Sequence, residues 1–123
     1  MKALSIRQPW AWLVIHGYKD IENRKHHFGV RGEFLVHASK QPAANYDEIC
    51  RQVLEVFEIE IPPFEELPKG ALVGKSEITD CVTESDSPWF HGPNGLVLKN
   101  SEAFGEPIPW KGRLGFFNVD LEL

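Results

Sequence analysis

The chain has 123 residues, 42% hydrophobic and 25% charged, and a formal net charge of −5. That length gives one domain burying a little under ~70% of its unfolded surface, and the composition is globular rather than disordered or fibrous. No apolar run approaches the ~18 residues of a membrane span, no signal-peptide pattern opens the chain, and Cys50 and Cys81 form no CxxC pair, which argues against structural zinc and dithiol redox chemistry.

Lys2–Ile6 reads as a first strand. Pro9, after Gln8, suits the first turn of a helix; Trp10, Leu13 and Val14 follow at helical spacing, and Gly17 is a left-handed stop. This predicts a short buried helix over 9–16. Residues 19–24 read as an extended segment, and Lys25–Gly32, with two glycines, as a loop. Glu33–Ala38 is a second strand. A helix over about 43–57 places Ile49, Val53, Leu54 and Phe57 on one side, with Cys50 inside it. Residues 58–70, with Pro62, Pro63, Pro68 and many acids, form a surface connection. Ala71–Val82 alternates as a long strand, with Leu72, Gly74, Ser76, Ile78 and Asp80 on one parity. Thr83–Asn94 is a polar loop carrying Trp89 and Phe90. Gly95–Lys99 is a strand, Phe104–Pro109 a proline-limited extended connection, and Leu114–Leu121 a closing strand. Five or six strands and two helices in irregular order define an α+β class, and their spacing suits a small barrel occupying 1–123 as a single domain.

Charge is unevenly placed. Residues 1–40 hold seven Lys and Arg against three acids and carry four of the five histidines; residues 41–123 hold six Lys and Arg against fifteen acids. A basic end on an acidic chain suits a short RNA, a nucleotide or another single anionic ligand better than a long duplex. The densest feature is Lys19, Glu22 and Arg24 on one segment directly after a helix.

The run Gln8-Pro9-Trp10-Ala11, with Gly17-Tyr18-Lys19-Asp20-Ile21-Glu22-Asn23-Arg24, resembles the G-x-K-x-x-E-x-R signature of the ASCH (activating signal cointegrator homology) family. Gly32–Lys40, Gly70–Cys81, Glu84–Pro88 and Trp110–Phe117 resemble its later segments, so the likeness spans nearly the whole chain. It implies a PUA-like mixed β-barrel. It also implies RNA binding or transcriptional coactivation and, in some branches, hydrolysis of N4-acylated cytidine or RNA cleavage. The amidohydrolase branch uses the lysine matching Lys19 and a threonine nucleophile three residues on. Here that position is Glu22, which removes the nucleophile and points to a binding module.

Lys19 is expected to meet a phosphate, a carbonyl or a base edge, or simply to pair with Glu22. Arg7 and Arg24 offer planar forks for phosphate, a guanine edge or stacking. Trp10 and Trp12 suit a core better than a platform, whereas Trp89 either stacks on a base or caps the barrel. His37 either lines the barrel mouth or is a satisfied interior histidine. Glu84 and Asp86, flanking Ser85, could accept from a ligand amine or only turn the chain. Adjacent His26 and His27 point apart and suggest no metal. The candidate binding residues are Arg7, Gln8, Trp10, Lys19, Glu22, Arg24, His37, Ser39, Ser85, Asp86 and Trp89. They are expected around a cleft between the first helix, Lys19–Arg24 and the Thr83–Asn94 loop. Were the chain an enzyme, Lys19 and Glu22 would be its catalytic pair. A third reading is a protein-interaction adaptor using the acidic Glu55–Glu66 region. The expected protein is a cytoplasmic monomer without metal or cofactor, whose partner is RNA or a nucleoside or nucleotide, with a protein partner as the alternative and no membrane.

Overall fold

In the computed structural model, which describes residues 1–121, the strands are β1 (Lys2–Ile6), β2 (Ile21–Arg24), β3 (Gly32–Ala38), β4 (Ala71–Val82), β5 (Asn94–Pro109) and β6 (Phe116–Asn118). The helices are α1 (Trp10–Ile15) and α2 (Tyr46–Phe57), and a 3₁₀ turn spans Phe64–Glu66. Among the described residues the strands form one mixed sheet in the order β2-β5-β4-β3-β1-β6, with β1 and β3 parallel and every other pair antiparallel. This is the expected α+β class, a half-barrel rather than a closed one. β2 and β1 are separated by three strands in the sheet, yet the Arg24 guanidinium on β2 donates to the Ser5 carbonyl on β1 at 2.9 Å. Only a strongly curled sheet brings them so close, and its seam lies between the edge strands β2 and β6.

Both faces of the central strands are buried, so their side chains alternate between two cores. Leu4 and Ile6 of β1, with Phe34, Val36 and Ala38 of β3, join Ala11, Val14 and Ile15 of α1 inside the curl. Ala3 and Leu35 point to a second cluster with Leu72, Phe117 and Val119. On β4 the single-parity expectation fails. Leu72 belongs to the second cluster and Ile78 to the first, because Val36 and His37 of β3 pair with Gly74 and Leu72, which leaves Val73 as an extra residue on β4. A bulge there switches the faces.

A third cluster, Leu13, Ile21, Val53 and Trp89, fastens α2 and the Thr83–Asn94 loop beneath α1. Val53 faces inward, with Ile49 and Phe57 packed alongside, but Leu54 is 49% exposed, off the apolar stripe. The connection after α2 runs over the surface as expected, pinned by Leu67, which is buried. The two segments read as separate before Pro109 are one strand of 16 residues, and the closing strand is shorter than Leu114–Leu121. Cys50 and Cys81 are both free thiols. Among the described residues no helix is long and apolar enough to cross a membrane.

Candidate functional site

The local fold after α1 sets the charged segment. Gly17 adopts φ +79°, a conformation glycine reaches without strain, and ends the helix. The Leu13 carbonyl then accepts from both Tyr18 N–H and Lys19 N–H, each at 3.0 Å, and turns the chain back toward the sheet. Lys19 is carried inward, 4% exposed, with its ammonium 5.5 Å from the centre of the Trp10 ring. It donates to the Ile21 carbonyl and lies 3.4 Å from Glu22 Oε1. On the other side of that carboxylate, Arg24 Nη2 forms an ion pair with Oε2 at 2.9 Å. Glu22 is thus clamped between two cations, its side chain 9% exposed. The Arg24 Nε is buried without a partner among the described residues.

Burial pulls the Lys19 ammonium below the usual lysine range, and the Glu22 charge opposes that pull only in part. Between its lowered folded value and the ordinary unfolded one, the unfolded chain binds more protons, so the Lys19 contribution to stability improves as pH rises. We expect the urea midpoint of the native chain, measured relative to Lys19→Met, to rise from pH 7 to pH 10. A difference that stays flat or falls would show the ammonium is not penalised by burial.

The barrel seam opens into a cleft of about 1380 Å³. Glu22, the end of β1 and Trp10 form the floor; one wall is Asn23–Lys25, followed by His26 and Phe28. Ser39 and Lys40 close one end, and the opposite wall is Pro109–Gly115, the segment leading into β6. Six of the thirteen Lys and Arg of the chain line it, namely Arg7, Arg24, Lys25, Lys40, Lys111 and Arg113, against a single acid, Glu22, among the described residues. On a chain of net charge −5 this concentrates positive potential at one concave site.

The Pro109–Gly115 wall is fastened through His37. Its Nε2 donates to the Trp110 carbonyl at 2.7 Å, since a carbonyl only accepts, and this leaves Nδ1 to accept from the Ser5 hydroxyl at 3.0 Å. Gly112 lies so close to this ring that an added Cβ would come within 2.6 Å of His37 Cε1. His37 is therefore a satisfied interior histidine that seats the wall.

Of the candidate residues, Arg7, Trp10, Glu22, Arg24 and Ser39 meet in the cleft. Lys19 lies behind it, holding Glu22. Gln8 is fully buried; its Oε1 accepts from Trp12 N–H at 2.8 Å and its Nε2 donates to the Pro68 carbonyl at 3.1 Å, which secures the start of α1. The Thr83–Asn94 loop is not a wall of the cleft. Trp89 is 6% exposed and stacks on Phe57 with ring centres 4.1 Å apart, the capping alternative rather than an open platform. Ser85 and Asp86 are exposed on that loop, where the Ser85 hydroxyl accepts from Ser87 N–H. Asn23 pins the loop, donating to the Trp89 carbonyl and accepting from His91 and Gly92 N–H. The candidate set omits Lys25, Lys40, Lys111 and Arg113. The basic Lys-Gly-Arg run between Trp110 and Leu114 was the available signal for the last two, but it sits in the acidic part of the chain.

The fold and site define a small half-open mixed barrel with a cationic cleft at its seam. The chain belongs to the ASCH domain family, whose model matches residues 4–106. It is also similar to activating signal cointegrator 1 of Homo sapiens, 25% identical over 137 aligned positions, and to the Mus musculus protein of the same name at 26%. Each alignment covers 98% of this chain but 22% of the relative, so the chain spans about a fifth of the length of these relatives.

Proposed function

We propose that this domain binds single-stranded RNA, or a nucleotide derived from it, in the seam cleft. The observation that carries this reading is the gathering of six cations around one concavity of an acidic chain. Phosphates are the anions such a distributed set suits, and the aromatic Trp10 and Phe28 in the same cleft suit bases. Binding is favoured over hydrolysis because the Lys19 ammonium is already engaged by the Ile21 carbonyl and Glu22, behind the cleft, where it faces no substrate.

The test is fluorescence anisotropy with a labelled short single-stranded RNA at several salt concentrations. Arg24 is engaged by Glu22 and the Ser5 carbonyl, so at roughly −0.7 per neutralised phosphate the five other cations cap the slope of log K against log salt at about −3.5. Replacing Lys111 and Arg113 together with alanine is expected to reduce the slope by about 1.4 and to weaken every sequence alike. Affinity and slope unchanged by that pair of substitutions would refute the cleft assignment.

A further inference from the structure

Resting on the reading of the cleft as an RNA site, we infer that its floor selects an unpaired guanine, held by its N1–H and N2 amine on the Glu22 carboxylate. A carboxylate among cations repels phosphate, so it contributes to binding only if the ligand presents hydrogen-bond donors there. Glu22 is built to do that. Lys19 takes one approach to Oε1 at 3.4 Å and Arg24 one to Oε2 at 2.9 Å. Each carboxylate oxygen has two lone pairs, so each keeps an acceptor position, and the residue lines the cleft. The two flanking cations fix its orientation before any ligand arrives.

Arg24 is a positioning residue here, because its guanidinium is shared between Glu22 and the Ser5 carbonyl. The cations left for the backbone are Arg7, Lys25, Lys40, Lys111 and Arg113, which surround the floor. The cleft exceeds the ~300–1,000 Å³ of a small-molecule site, leaving room for flanking nucleotides.

Base chemistry then selects. Guanine sets two donors side by side, N1–H and the N2 amine, matching the two oxygens of one carboxylate. In adenine and cytosine the amine sits beside a ring nitrogen that is an acceptor, and this would face the carboxylate lone pairs. The single imino N–H of uracil is flanked by two carbonyls. A pair of charge-assisted hydrogen bonds is therefore available to guanine alone among the four neutral bases.

The experiment compares three labelled uridine-tract RNAs, identical except for guanosine, inosine or adenosine at one central position, binding to the full chain. Inosine lacks only the N2 amine. The guanosine strand is expected to bind about tenfold more tightly than either of the others, the lower part of the range for a bidentate base contact. In Glu22→Gln, with its fold confirmed by its melt, that ratio should fall to near one. Equal binding of the three strands by the native chain overturns the guanine inference and leaves the RNA-binding cleft standing. A guanosine preference that survives Glu22→Gln overturns the role of Glu22. If none of the strands binds, the RNA reading fails and the inference fails with it.

Discussion

Glu22→Ala is expected to lower the melting temperature by roughly 10–20 °C, the equivalent of about 3–5 kcal/mol in a domain of this size. The Lys19 ammonium is 4% exposed and desolvated, and Glu22 is the largest influence keeping it charged. Removing the carboxylate leaves Lys19 facing Arg24 with only the weaker influence of Asp20 to compensate. That cost is much larger than the contribution of a surface ion pair, because water cannot replace the missing partner. Lys19→Met should cost less, since it removes the buried charge itself and leaves Glu22 paired with Arg24 at 2.9 Å. The double variant Lys19→Met with Glu22→Leu should recover part of the loss, as apolar replacement of buried ion pairs does elsewhere. Thermal melts of the three variants decide the matter. A Glu22→Ala melt within about 3 °C of the native chain would mean the triad is solvated and the clamp is not a structural unit.

The triad was visible in the sequence because its members lie within six residues of one another, and local geometry then determined their contacts. β1 and β4 were legible with correct bounds for a similar reason: β-rich apolar runs bounded by turn residues declare themselves locally. β5 did not. Asn100–Glu102 are polar, and Gly105 and Pro107 suggest a break. The strand nevertheless runs on, because β2 pairs only with Asn94–Val97 and leaves the rest of that edge unpaired by any strand. A missing proline N–H costs little on such an edge. The opposite wall of the cleft was hidden for a non-local reason. Lys111 and Arg113 reach the site because β6 pairs with β1 and the sheet curls until β6 approaches β2, where Phe28 and Phe116 meet edge to face at 5.2 Å. No short-range pattern encodes that closure. Trp89 misled in the opposite direction: an aromatic in a polar loop invites a ligand, but its partner is Phe57, 32 residues earlier, on α2.

Gly74→Ala should be the most damaging single-methyl change in the sheet, costing about 3 kcal/mol, at the upper end for an overpacked core. A Cβ there would lie 2.4 Å from the Glu102 carbonyl oxygen and 2.7 Å from Ile15 Cγ2. Neither neighbour can yield easily. The first is backbone of β5, held in the ladder on either side of a register shift, and the second is the last residue of α1, itself buried. Gly74 is therefore where the helix rests directly on the sheet. The methyl group would lift α1, and α1 carries Trp10 on the cleft floor and the Leu13 carbonyl that positions Lys19. The substitution is thus expected to weaken RNA binding as well as folding, although Gly74 is not among the residues lining the cleft. Gly29→Ala serves as the comparison, since an added Cβ there meets nothing within 4 Å. Urea denaturation and RNA anisotropy of both variants provide the check. Native-like stability in Gly74→Ala would mean that β5 and α1 can part without cost, and the seating of the charged segment would then need another support.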